Sequence, residues 1–233
     1  MAAKLIDLSF TLNGRKVKVQ IAPDTMLFAL LREQGCASVR CACETTNCGL
    51  CTVWLDGDPV LSCSVPAARV EGHTVTTLEG LKAESEALAR AMAAEGAEQC
   101  GFCAPGLIMN VLALASAAKE DPSLVATREE LSRQLAGNLC RCSGYESQLR
   151  AIVRFLNESG VQAGFEMPEL PVNNTSSDGV TYKQITHKQP KKDSKALLEG
   201  RPVYTGDLVP AGALIVKLKR SPYARAKIRS IDT

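Results

Sequence analysis

Ile6, Leu8, Phe10 and Leu12 alternate with polar residues, and Val17, Val19 and Ile21 alternate again after Asn13-Gly14. Period-two alternation on both sides of Asn-Gly predicts a β-hairpin with a type I′ turn, because both turn residues must take positive φ. Residues 26–32 form an apolar-rich run that predicts a short helix, preceded by Pro23-Asp24-Thr25 and closed by Gly35. Residues 52–55 and 59–62 flank Asp56-Gly57 and predict a second hairpin. Residues 75–77 supply a last short strand.

From Thr77 the period changes to that of helices. Ser85 is placed to cap a helix running to about Glu95 and stopped by Gly96. Pro105 suits a first helical turn, which residues 107–119 continue. Thr127-Arg-Glu-Glu130 is a capping-box pattern that opens a helix closed by Gly137. Residues 147–159 predict a fourth helix, with Leu149, Ile152, Val153 and Leu156 on one face. Residues 161–200 lose periodicity. Pro168, Pro171, Asn173-Asn174, Ser176-Ser177 and the lysines between 188 and 195 predict a linker. Order returns from Arg201, where the run Leu214-Ile-Val-Lys-Leu218 and the residues after it predict two or three strands. The chain reads as α+β: a sheet domain over 1–78, a four-helix domain over 79–160, a linker over 161–200, and part of a further domain over 201–233.

Composition narrows the function classes. The 233 residues suffice for one or two domains with their own cores, and a hydrophobic content of 45% supports globular packing. Aromatic residues are only 4%, which argues against a base-stacking platform. No apolar run approaches the ~20 residues needed to span a bilayer, so no membrane partner is expected. Residues 1–182 carry a net −6 and residues 183–229 a net +9. The basic stretch reads as a solvated linker and domain edge rather than a nucleic-acid site. There is no G-x-G-x-x-G or G-x-x-x-x-G-K motif. His73 and His187 are isolated and read as surface residues.

Ten cysteines change the picture most. Cys43, Cys48 and Cys51 form C-x4-C-x2-C, and Cys63 supplies a fourth thiol, the spacing of a plant-type [2Fe–2S] site. Gly49 lies inside this loop, where a side chain would keep backbone from folding around inorganic sulfide. Four thiols can also hold zinc, but zinc modules usually pair C-x2-C with C-x2-C. Cys100 and Cys103 form C-x2-C, and Cys140 and Cys142 form C-x-C, between predicted helices. By itself the first pair could be a redox dithiol. Together the four fit a second cluster, with helix N-termini facing its negative charge. In extended backbone Cys140 and Cys142 would point the same way, with Arg141 turned outward. Cys36 and Cys41 are left over and are expected to be reduced and partly buried. Met1-Ala-Ala-Lys4 runs straight into strand-like sequence, and reduced thiols suit a cytoplasmic location.

The sequences Gln99-Cys-Gly-Phe-Cys-Ala-Pro-Gly106 and Asn138-Leu-Cys-Arg-Cys-Ser-Gly-Tyr145, following the ferredoxin motif, resemble the paired motifs of molybdenum hydroxylases. This is the xanthine dehydrogenase and aldehyde oxidoreductase family. The likeness spans about residues 4–160. It implies a β-grasp ferredoxin domain, a four-helix [2Fe–2S] domain, and electron transfer from a molybdopterin-type cofactor to an FAD subunit or another acceptor. Cys43, Cys48, Cys51 and Cys63 would hold one cluster. Cys100, Cys103, Cys140 and Cys142 would hold the one nearer the pterin, and Gln99 would lie against the pterin. Residues 221–228 are similar to a segment near the start of the molybdenum-binding subunit, a partner that would hold the pterin. The given chain alone is expected to hydroxylate nothing. Purines, aldehydes and N-heterocycles all stay open as substrates. Ala42 and Thr46 depart from the family pattern, which favours glycine at both places. The competing reading is a free-standing ferredoxin-like carrier whose helical part is a metal-stabilised partner-binding module.

Overall fold

The computed structural model describes residues 5–168, 175–181 and 191–231. His187, Lys188 and Asn173-Asn174 of the predicted linker lie outside these. Strands β1 (Ile6–Leu12) and β2 (Arg15–Ile21) pair antiparallel with Leu12 opposite Arg15. Asn13 and Gly14 take φ of 50° and 78°, as a type I′ turn requires. β3 (Thr52–Leu55) and β4 (Asp58–Leu61) form the second hairpin, and β5 (Thr74–Thr76) closes the sheet. The strand order is β2-β1-β5-β3-β4, with β5 parallel to β1 and antiparallel to β3. Helix α1 (Leu27–Glu33) lays Leu27, Leu30 and Leu31, all fully buried, into one core with Leu8, Phe10, Val53 and Val75.

A second core joins α2 (Lys82–Ala94), α3 (Ala104–Glu120), α4 (Arg128–Gln134) and α5 (Tyr145–Glu158). The mixed α+β expectation holds, and so do the four helices. Thr127 caps α4 by accepting from Glu130 N–H at 3.1 Å. Ser85 does not cap α2. The helix starts three residues earlier, fed by a 3-10 turn over Leu78–Gly80, and Ser85 is buried inside it with its hydroxyl bonded back to the Lys82 carbonyl. That back-bond is the local alternative open to any helical serine, so a serine alone does not mark a start.

The predicted linker also differs from the structure. Residues 175–181 make a small turn closed by a Thr175–Thr181 bridge. Helix α6 (Ser194–Leu198) buries Leu197 and Leu198 in the unit formed by residues 1–203. Two leucines are too few to give a periodic signal, yet enough to dock a five-residue helix once a groove exists. Residues 204–233 form a separate unit. Among its described residues there is no strand, and Leu214, Ile215, Val216 and Leu218 are exposed.

The sheet and the helices meet through backbone. An added Cβ on Gly49 would stand 2.3 Å from the Gly137 carbonyl oxygen, and one on Gly106 would stand 2.5 Å from the Gly49 oxygen. Trp54 Nε1 donates to the Met109 carbonyl at 3.0 Å across the same seam. Gly49 also has φ of 75°. Gly49→Ala is therefore expected to cost about 2–4 kcal/mol, combining left-handed strain with overpacking. Gly14 shares the positive φ but has open space beside it, so Gly14→Ala should cost only about 1–2 kcal/mol. Denaturant unfolding of both variants checks this, and equal losses would show that the close approach contributes nothing.

Candidate metal centres

The first thiol set is built by the loop between α1 and β3 and by a 3-10 turn after β4. Cys48 and Cys51 are buried, Cys43 and Cys63 half-buried. The backbone N–H groups of Thr45 and Asn47 point at the Cys43 sulfur and, with the Cys48 thiol, hold its pKa down at about 6. Cys63 sits deeper. Burial first, and then the Cys51 thiol beside it, push it up to about 12. Ser62 locks the two arms together, its hydroxyl donating to the Cys51 carbonyl at 2.7 Å. Thr52 does the same to the Gly49 carbonyl at 2.7 Å.

Thr46 occupies φ of 59° within this loop. A β-branched residue is strained there, and this is one of the two places where the chain departs from glycine. The backbone path is thus the one glycine would take, imposed on threonine. Cys41, expected to be a bystander, donates its thiol to the Cys43 carbonyl at 2.5 Å and feels the Cys48 and Cys51 sulfurs as well. Cys36 is buried away from the set, and burial, followed by Glu79, raises it to about 11.

The second set lies where two interhelix connections meet. Cys103 precedes α3, and its thiol is pushed up to about 12 by burial and then by Cys140. Cys142 is lowered, chiefly by the Cys100 backbone N–H and the Cys100 thiol. Cys140 and Cys142 do not sit in extended backbone. Residues 140–143 form a tight turn, closed by Ser143 N–H on the Cys140 carbonyl at 3.3 Å, with Ser143 at φ of 57°. The turn, rather than a period of two, brings both sulfurs to Cys100 and Cys103.

Several residues around this set were not singled out by sequence. Gln148, buried in the first turn of α5, donates to the Cys103 sulfur at 3.6 Å. Its signal was a polar side chain four residues before Ile152, on the apolar face. Tyr145 accepts from the Cys140 N–H at 2.9 Å. Arg40 is buried and donates to the Gly101 carbonyl at 2.9 Å, while its guanidinium stands 5.5 Å from the Phe102 ring centroid. Gln99, predicted from the family likeness, is exposed and donates from Nε2 to the Cys142 carbonyl at 3.2 Å. His73 is an exposed partner of Asp56 at 2.5 Å, in keeping with a surface residue.

The donor chemistry suits iron–sulfur clusters. Each set offers four thiols and no imidazole or carboxylate among them. A cluster brings its own sulfides and asks only for surrounding thiolates. Behind burial, neighbouring sulfurs also push Cys63 and Cys103 up, an effect that bound iron would reverse by deprotonating them.

The two loops also touch each other. The Cys48 carbonyl accepts from the Leu139 N–H at 2.9 Å, one residue before Cys140. The Asn138 side chain donates to the Gly49 carbonyl at 3.3 Å and accepts from Asn110 at 2.6 Å.

Comparison with known proteins agrees with this arrangement. Residues 10–76 match the family described as a 2Fe-2S iron-sulfur cluster binding domain, and residues 77–153 that described as a [2Fe-2S] binding domain. The chain is 42% identical over 154 residues to the xanthine dehydrogenase iron-sulfur-binding subunit of Escherichia coli O157:H7, covering 65% of this chain and 94% of that one. It is 30% identical over 237 residues to the aldehyde oxidoreductase of Megalodesulfovibrio gigas, covering 98% of this chain and 25% of that one. The structure of quinoline 2-oxidoreductase from Pseudomonas putida 86 is similar with a TM-score of 0.60 and 34% identity, over 67% of this chain and 96% of that one. On these matches the chain belongs to the [2Fe–2S] iron–sulfur subunits of the xanthine dehydrogenase and aldehyde oxidoreductase family of molybdenum hydroxylases.

Proposed function

We propose that Cys43, Cys48, Cys51 and Cys63 hold one [2Fe–2S] cluster and that Cys100, Cys103, Cys140 and Cys142 hold a second, forming a two-step electron wire. The observation that carries this reading is the Cys48 carbonyl on the Leu139 N–H at 2.9 Å. One hydrogen bond and a short run of backbone separate a ligand of the first set from Cys140 of the second. A molybdenum–pterin group, held by a partner domain or subunit, would supply the two-electron oxidation of substrate. This chain's part is to take the electrons singly at the helical set and release them from the sheet set to an FAD subunit or another acceptor.

The remaining residues take supporting roles. Gln99 lies on the rim of the second set, exposed, with its side-chain carbonyl available to a partner's pterin. Gln148, Tyr145 and the backbone N–H groups around Cys43 and Cys142 orient and stabilise thiolates. Residues 1–78 and 79–160 act as the two cluster domains, a division that agrees with the separate matches over 10–76 and 77–153. Residues 201–233 belong to the start of a molybdenum-binding domain. Support comes from the likeness to an aldehyde oxidoreductase over 98% of this chain. Among the described residues no helix is long and apolar enough to cross a membrane, and a cytoplasmic setting suits so many free thiols.

Metal analysis tests the assignment. Four irons and four sulfides per chain are expected, whereas two irons with zinc would favour the free-standing carrier. Reduction should give two distinguishable paramagnetic signals, and Cys48→Ser should remove or distort one of them. Both signals surviving intact would sink the ligand assignment.

Gln99→Ala should leave both clusters assembled but slow reduction of the helical cluster by substrate in the complete enzyme, by about tenfold if one hydrogen bond of about 1.4 kcal/mol is lost from the coupling contact. Stopped-flow bleaching of the clusters reads this, and unchanged kinetics would count against the role. Residues 1–233 alone should accept electrons from a chemical reductant yet oxidise neither purine nor aldehyde with a dye acceptor. Turnover by the isolated chain would refute the division of labour.

A further inference from the structure

The segment that leads into α6 returns to the second thiol set. Lys191 donates from Nζ to the main-chain carbonyl of Gln99 at 2.5 Å, next to Cys100. The Gln99 side chain in turn donates to the Cys142 carbonyl. This lysine is not a loose surface cation, because the residues after it are pinned. The Ser194 hydroxyl donates to the buried Glu98 carboxylate. Leu197 packs on Gly101, where an added Cβ would meet its side chain at 2.7 Å. Gly200 packs on Ser38 in the same way at 2.5 Å, and Arg40 donates to the Arg201 carbonyl at 3.4 Å.

We propose that Lys191, clasped on the Gln99 carbonyl by the docked 191–201 segment, is a positioning residue that sets the reduction potential of the second cluster. The inference rests on the ligand assignment above. Reduction adds an electron to an assembly of four thiolates that is already anionic, so a fixed ammonium beside it favours the reduced form. Asp193, 3.5 Å from Lys191 Nζ, offsets part of its charge. Arg40 sits on the other side of the same loop and is a second cation that the proposal leaves in place. A higher potential at this cluster would favour its reduction by the partner's centre.

Redox titration of the full chain, following both paramagnetic signals, tests the proposal. In Lys191→Met the reduced-to-oxidised ratio of the second cluster at fixed potential should fall about tenfold, or 59 mV for a one-electron couple. The first cluster should be unmoved, and Lys191→Arg should behave like the unaltered chain. A second measurement needs no variant. Raising ionic strength should lower the second midpoint of the unaltered chain towards that of Lys191→Met, since an exposed charge is screened. Midpoints unchanged in Lys191→Met, or lowered equally in Lys191→Arg, overturn the role. If Lys191→Met loses the second signal, a salt-independent midpoint in the unaltered chain overturns it instead. A chain with only one signal before any substitution would refute the ligand assignment, which is a different failure.

Discussion

The contact on which the molecule depends is the approach of the Gly49 loop to Gly106 and to residues 137–139. Gly49 and Gly106 bring no side chain of their own, so backbone meets backbone at distances no Cβ would allow. Three polar groups use the opening: the Cys48 carbonyl, the Gly49 carbonyl and the Asn138 amide. The same contact therefore does two things. It seals the sheet domain to the helices, and it fixes the distance between the ligand loops.

Charge is managed around each thiol set by dipoles before any ion. Backbone N–H groups from Thr45 and Asn47 serve Cys43, and the Cys100 N–H serves Cys142. Burial raises the deeper Cys63 and Cys103, and the Gln148 amide offsets only part of this at Cys103. Each set thus holds one thiol whose ionisation is eased, Cys43 or Cys142, and one that burial keeps protonated, Cys63 or Cys103. Thr46 shows that this loop path is enforced from outside. Its backbone takes a conformation that threonine disfavours, and the N–H geometry at Cys43 follows from that path.

Arg40 ties the parts together from below. Its guanidinium is buried, donates to the carbonyls of Gly101, Phe102 and Arg201, and stands over the face of Phe102. One side chain from the sheet domain thereby holds the Cys100–Cys103 loop and the segment after α6. Five donors on a planar group make this possible where a lysine could not. Ser38 adds a second tie, donating from N–H and hydroxyl to Glu79 at 2.8 Å and 2.6 Å.

Local chemistry was legible in the sequence wherever it was decided locally. Asn13-Gly14 and Asp56-Gly57 announced hairpins because only such residues accept positive φ at low cost. Pro105 and Thr127 announced helix starts, and the eight cysteines announced two four-thiol sets by spacing. Ser85 misled because its hydroxyl has a helical use as well as a capping one. What the sequence could not fix was long-range placement. The turn at residues 140–143 replaced an extended strand because it must bring two sulfurs to a partner loop nearly forty residues away. Helix α6 formed in a stretch without periodicity because its two leucines met a groove made by α2 and α3. Arg40, Gln148 and Lys191 reached their partners only through that packing. Hydrogen bonds between distant segments leave no spacing to read, so the chain's own order determined the two four-cysteine patterns, and tertiary structure alone decided what surrounds them.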